Sequence, residues 1–297
     1  MSLLYYTSGI NSTLANAVSL GGMAEHMAAD EITPVGRRIT RRGMPERSWD
    51  RFVTEQDRQV YQLGGFGRPG EFGKRPVIVM IDVVYHSVGD RPEPILESVK
   101  KYPASCGENG WRAVEQIAKL VEVARANGVH IVYAVPVDRT KDSEYGRYLD
   151  KMTAVAKRQQ IGGHDSIDIV EEVAPQPGDR IIRKPKSSAF FKTNLKETLD
   201  ELGADSILIT GCTTSGCVRL TAADAFQHDL KAAVIEECVY DRGQASHAVS
   251  LWDMNAKYAD VISLENALAH LNNLARYQGR RQTGRLPRAP QARTTGP

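Results

Sequence analysis

Three side chains that could do chemistry together stand where buried-strand patterns run out. Asp82 follows the apolar run Val77-Ile-Val-Met-Ile81, Lys184 follows Arg180-Ile-Ile-Arg183, and Cys217 closes the small-residue stretch Gly211-Cys-Thr-Thr-Ser-Gly216 that follows Ile207-Leu-Ile-Thr210. Together they supply a nucleophile, a proton acceptor and a cation. A cysteine with an ordinary pKa of roughly 8.5 is only a few per cent thiolate at neutral pH. An adjacent ammonium stabilises the thiolate, while a carboxylate can take the proton, pass it to a leaving amine and later activate water. Such a set is suited to cleaving an amide through a thioester. Taken singly, each residue also has a plainer role: Cys217 as packing at a strand-helix turn, Asp82 as a helix cap, Lys184 as a surface lysine.

The elements that would position them follow from periodicity. Short β-branched runs predict strands at Val77 to Ile81, Val129 to Val135, Arg180 to Ile182, Ser206 to Thr210, Ala232 to Ile235 and Asp260 to Ile262. Longer amphipathic stretches predict helices at Trp111 to Asn127, Asn194 to Leu202, Cys217 to His228, Ser246 to Tyr258 and Leu264 to Tyr277. The first two end at Gly128 and Gly203, which are helix stop signals. The alternation is that of an α/β fold, a doubly wound six-stranded parallel sheet with helices on both faces. In such folds ligands bind beyond the carboxyl ends of the strands, where all three reactive residues fall. The pattern puts Cys217 in the first turn of its helix, so exposed N–H groups and the helix dipole are expected to favour a thiolate. The same N–H groups can receive an oxyanion.

The rest of the chain bounds what this domain can be. It has 297 residues, 41% of them hydrophobic and 25% charged, ordinary values for a globular domain with decoration. Residues 1–72 are loop-rich and glycine-punctuated, with a short helix expected around Glu55 to Tyr61. They read as an N-terminal arm packing on the domain or on a neighbouring subunit. The α/β domain spans 73–277, and 278–297 read as a basic, disordered tail carrying Arg280, Arg281, Arg285, Arg288 and Arg293. A net charge of +2, with its excess in that tail, argues against a nucleic-acid binder. No apolar run reaches the roughly 18 residues a membrane span needs, and the N-terminus lacks the order of a signal peptide. Cys106, Cys212, Cys217 and Cys238 form no C-x-x-C pair and no disulfide framework, so a reducing, cytoplasmic setting is expected.

Beyond residue types, the motifs Val-Ile-Val-Met-Ile-Asp82, Ile-Ile-Arg-Lys184-Pro-Lys-Ser-Ser-Ala-Phe190 and Thr-Gly-Cys-Thr-Thr-Ser-Gly-Cys217-Val-Arg resemble those of the isochorismatase-like cysteine hydrolases, most of all their N-carbamoylsarcosine amidase branch. The likeness runs in order from about residue 73 to 270 and continues through Leu251-Trp-Asp-Met-Asn-Ala-Lys-Tyr-Ala-Asp-Val261. It implies Asp82, Lys184 and Cys217 as a catalytic triad. It further implies a cis peptide at Cys212-Thr213 and an oxyanion hole from the N–H groups of Thr213 and Cys217. Arg242 matches the arginine that grips a substrate carboxylate, for which a guanidinium is well suited; a loop salt bridge is its plainer role. Tyr85, His86, Thr214 and Phe190 are expected around the substrate. The implied activity is hydrolysis of a small carbamoyl or carboxamide acid, with maleamate, ureidoacrylate or biuret chemistry as the alternative within the superfamily. A non-catalytic binding or scaffold member is the remaining reading. A homo-oligomer, dimer or tetramer, is implied as well.

Other signals carry less. No Asp-x-His or His-x-x-x-His pair is present, and Val137-Asp-Arg139 lacks the histidine expected of metal-binding relatives, so no metal is expected. Gly64-Gly-Phe-Gly-Arg-Pro-Gly70 does not run from a strand into a helix, so no dinucleotide cofactor is expected either. Gly162-Gly-His164-Asp165 reads as a solvent turn.

Overall fold

A computed structural model describes residues 46–137, 151 and 159–282, with side chains to residue 274. The chain divides into a unit Met1–Glu46 and a unit Arg47–Pro297. All of the first except Glu46 lies outside the described residues, as do Asp138 and Arg139 and the tail from residue 283. The second unit contains helix α1 (Glu55–Leu63), strand β1 (Pro76–Ile81), the short helix α2 (Tyr85–Val88), α3 (Ile95–Lys101), α4 (Glu108–Ala126) and β2 (Ile131–Pro136). A small hairpin, β3 (Gln160–Ile161) and β4 (His164–Asp165), precedes β5 (Arg180–Lys184), α5 (Leu195–Glu201) and β6 (Ser206–Cys212). A π turn (Thr214–Val218) leads into α6 (Arg219–Gln227), followed by β7 (Lys231–Tyr240), α7 (Gln244–Lys257), β8 (Asp260–Ile262) and α8 (Leu264–Gln282).

The six longer strands form one parallel sheet in the order β5-β2-β1-β6-β7-β8. Every residue of β1, β2 and β6 is buried, as expected of central strands covered on both faces. Residues of alternate parity feed two cores. Ile78 and Met80 join Ile131, Tyr133 and the α4 residues Val114, Ile117 and Leu120. Val77, Val79 and Ile81 join Val132, Ala134, Ile182 and the α6–α7 side, which includes Cys217. On edge strand β5 the alternation buries Ile182 and Lys184 while Ile181 and Arg183 face outward. Period two therefore delivers the lysine to the face on which the cysteine lies.

At β7 the structure departs from the sequence pattern because polar groups have found partners. Strand β7 runs to Tyr240, five residues past Ile235, through Glu236 and Glu237. Glu236 is buried because Arg47 pairs with it at 2.8 Å and Ser48 donates from both N and Oγ, at 2.8 and 2.5 Å. Glu237 accepts from the N–H of Leu264 at 2.8 Å. Residues from Arg47 thus lie on the domain's own sheet, and Trp49 is buried edge-on to Trp252 with centroids 6.1 Å apart. The expected helix from Cys217 to His228 is instead a π turn followed by an α-helix beginning at Arg219. Gly162 and Gly163 turn the β3–β4 hairpin, α3 is an element the pattern does not reveal, and α8 runs five residues beyond Tyr277. Among the described residues no helix is long and apolar enough to cross a membrane.

Gly211 is irreplaceable on steric grounds. Its φ is 98°, at a register shift in the β6–β7 pairing, and a Cβ there would lie 2.0 Å from the carbonyl oxygen of Ile81. The chain at the end of β6 thereby comes close against the end of β1. Gly211→Ala is expected to lower stability by about 2 to 4 kcal/mol, the combined cost of left-handed backbone and a backbone clash. Urea unfolding checks this, and an unchanged midpoint would rule out the close approach.

Candidate active site

The last step of β1 redirects its chain. Continued alternation would send the side chain after Ile81 to the α4 face with Ile78 and Met80. Asp82 instead takes φ 50°, in the left-handed region, and its N–H is held by the carbonyl of Ala134 at 2.9 Å. Aspartate is among the few side chains that tolerate this backbone. Its Oδ2 lies 2.7 Å from Lys184 Nζ, and the lysine is only 3% exposed. β5 and β1 are separated by β2, roughly 10 Å from first to third strand, so a long side chain is needed to bridge them. The ammonium also donates to the carbonyl of Lys186 at 3.2 Å and to Cys217 Sγ at 3.4 Å. Asp82 Oδ1 is buried, and the carboxylate lies close enough to Cys217 to influence its thiol.

Cys217 sits in the π turn, buried, with its carbonyl accepting from Thr221 Oγ1 at 2.7 Å. The turn closes on Thr213, whose carbonyl accepts from Gly216 N and Val218 N at 2.9 and 3.2 Å. The Cys212-Thr213 peptide bond is cis. The N–H of Thr213 has no backbone acceptor among the described residues. Thr214 is fully buried, its Oγ1 2.8 Å from His247 Nδ1.

The thiolate expected of Cys217 is not the resting state. Burial pushes its thiol up to about 11; the nearby Lys184 ammonium pulls the other way, and the Asp82 carboxylate adds to the rise. Two features weaken the expected stabilisation. The residue lies ahead of the α-helix rather than in its first turn, and the Lys184 charge is already balanced by Asp82 at 2.7 Å. Cys212 is likewise pushed well above its ordinary value by burial, and its thiol donates to the Asp82 carbonyl at 3.6 Å.

The other expected contact residues divide. Arg242, just past β7, has its guanidinium hydrogen-bonded to the carbonyl of Ala104 and lies close enough to Cys106 and Cys212 to influence both thiols. Tyr85 turns instead into the α4-side core, its ring stacked on His164 with centroids 4.2 Å apart. His86 is half-buried with its N–H on the carbonyl of Ser166. Phe190 packs beside α6, in the same buried cluster as Cys217. Segment 188–190 runs along α6, with Ser188 on Asp224 at 2.5 Å and Ala189 N on Thr221 Oγ1 at 3.0 Å, so the Phe190 ring packs on His228. The sequence reading missed Asp241 and His247, which hold the turn from β7 and α7. Reading β7 through its two glutamates to Tyr240 would have exposed Asp241 by the strand-end rule. Among the described residues no group of three or more His, Cys, Asp or Glu is placed to hold a metal.

A parallel sheet with helices on both faces and reactive side chains gathered beyond its carboxyl ends defines the class, a doubly wound α/β protein with a cysteine-centred site. The chain belongs to the isochorismatase family, whose Isochorismatase domain matches residues 76–266. It is similar to the maleamate amidohydrolase of Pseudomonas putida, 34% identical over 73% of this chain and 96% of that protein. It is also similar to the N-carbamoylsarcosine amidase of an Arthrobacter species, 27% identical over 75% of this chain and 81% of that protein. The solved cysteine hydrolase from Pseudomonas syringae pv. phaseolicola shares the fold, with a TM-score of 0.60 and 21% identity over 70% of this chain and 98% of that one.

A thiol raised to about 11 is protonated throughout the neutral range, since a raised cysteine pKa disfavours the anion. Iodoacetamide is expected to label Cys217 of the ligand-free protein at least about tenfold more slowly than free cysteine at pH 7.5. The rate should still be climbing at pH 10. Mass-spectrometric labelling across pH decides this, and a plateau below pH 8 would contradict the neutral thiol.

Proposed function

We propose that this protein is a cysteine amidohydrolase that cleaves the C–N bond of a small carboxylate-bearing carbamoyl or carboxamide acid, releasing ammonia without a cofactor. The observation carrying the proposal is the buried Lys184 ammonium held between Asp82 Oδ2 at 2.7 Å and Cys217 Sγ at 3.4 Å. Membership of a family whose relatives include maleamate and N-carbamoylsarcosine amidohydrolases supports the class of bond.

In this mechanism the thiol gives its proton to Asp82 as sulfur bonds to the amide carbon, so no free thiolate accumulates. The Lys184 ammonium steadies the sulfur as it becomes anionic. The N–H groups of Thr213 and Cys217 receive the carbonyl oxygen as it gains charge. Collapse of the tetrahedral species breaks the C–N bond, and the Asp82 proton leaves with ammonia. Asp82, ionised again, takes a proton from water, whose oxygen attacks the thioester carbon. The acid is released and the thiol reprotonated. For an N-carbamoyl amino acid the product is a carbamate, which breaks down to carbon dioxide and amine. Arg242 takes the substrate carboxylate. The 34% identity to maleamate amidohydrolase puts maleamate beside N-carbamoylsarcosine as a first compound to assay.

Ammonia release from N-carbamoylsarcosine, maleamate, ureidoacrylate and biuret is the test. Cys217→Ala and Asp82→Asn are each expected to lower kcat by about 10³-fold or more on whichever compound turns over. Arg242→Gln should raise KM about tenfold or more for an acidic substrate and leave a neutral amide little changed. Undiminished ammonia release by Cys217→Ala would end the proposal.

A further inference from the structure

Asp241 directly follows β7 and is 6% exposed, yet the chemistry above does not use it. Its carboxylate accepts three hydrogen bonds. Oδ2 takes the N–H and the Oγ–H of Ser215, each at 2.7 Å, and Oδ1 takes the N–H of Arg242 at 2.8 Å. Ser215 lies in the π turn two residues before Cys217. One oxygen therefore holds the turn that carries the sulfur, and the other holds the start of the segment that carries the guanidinium.

The turn needs outside anchoring. A π turn is a rare, single-turn element, and this one includes Ser215 and Gly216, which add no apolar anchor of their own. Ionic acceptors make hydrogen bonds roughly twice as strong as neutral ones, and a carboxylate is planar, so the directions of its two oxygens are coupled. On this geometry we infer that Asp241 is a positioning residue, setting the separation between the Cys217 sulfur and the Arg242 anchor to match the length of a short acid. The inference rests on the proposed roles of Cys217 and Arg242. Asparagine at this position can accept from Ser215 or from Arg242, but its amide nitrogen cannot accept at all, so one link breaks while size is kept. Displacing a reacting group by about 1 Å costs on the order of 10²-fold in rate.

The test compares Asp241→Asn and Ser215→Ala with Asp253→Asn, which weakens the ion pairs to Arg219 (2.9 Å) and Lys257 (2.8 Å) beside the turn and leaves the hydrogen bonds between Asp241 and Ser215 in place. Three quantities are read: kcat and KM on the compound the native protein hydrolyses, the iodoacetamide rate at Cys217, and the thermal midpoint. Asp241→Asn should lower kcat about 10- to 100-fold with KM changed less than about threefold, and Ser215→Ala about 2- to 10-fold. Both should label Cys217 at least about fivefold faster than the native protein, because a loosened turn opens the buried thiol. Asp253→Asn should stay within about twofold on both rates. Native labelling and kcat in folded Asp241→Asn and Ser215→Ala would overturn the inference, as would an equal fall in Asp253→Asn. Should Asp241→Asn fail to fold, Ser215→Ala decides by the same criteria. A native protein inactive on every compound tested would overturn the activity proposal alone, and the labelling rates would still decide the role of Asp241 in holding the turn.

Discussion

A buried ammonium governs how this domain is put together. Lys184 is 3% exposed, and an uncompensated charge in such a place costs several kcal/mol. Its compensation comes from Asp82 at 2.7 Å, and the Lys186 carbonyl at 3.2 Å and the Cys217 sulfur at 3.4 Å add to it. These groups come from the ends of β5 and β1 and from the turn after β6, so strand register and charge balance must be satisfied together. The same balance accounts for the neutral thiol. Asp82 already cancels the lysine charge, so a thiolate would add an anion to a buried place without a counter-ion of its own.

Two departures from regular backbone allow that meeting. Asp82 leaves the strand alternation at φ 50° and returns its carboxylate to the face that Lys184 reaches by period two. Gly211, at φ 98°, lets the chain pass so close to the Ile81 carbonyl that a Cβ there would lie 2.0 Å from its oxygen. One residue on, the Cys212 thiol donates to the Asp82 carbonyl. Regular strands would have carried the reactive groups to opposite faces of the sheet.

Around this centre the anchoring is polar. Glu236 ties Arg47 and Ser48 to β7, Asp241 ties the π turn to the end of the same strand, and His247 meets Thr214 from α7. Strand β7 is thus both a structural member and a source of carboxylates that hold neighbouring segments. Its charged residues are stable in the sheet because each has donors waiting, which is the condition for burying an ionised group.

The amino-acid sequence by itself determined the sheet, the order of strands and helices along the chain, and which three polar side chains stand at strand ends, where the structure brings them into contact. Hydrophobic periodicity and strand ends are local properties, and the fold rule places ligands at those ends. Local pattern also accounts for what it misjudged. Glu236 and Glu237 look like the end of a strand until Arg47, Ser48 and the Leu264 N–H, all distant in sequence, are brought to them. Tyr85 follows the Asp82 motif and Phe190 the Lys184 motif in the chain, and their ring contacts, stacked on His164 and tilted against His228, come from segments distant in sequence. Only the tertiary structure decided the protonation of Cys217 and the partners of Asp241, because desolvation and hydrogen bonding depend on what surrounds a group in space, and those surroundings are assembled from strands that lie far apart in the chain.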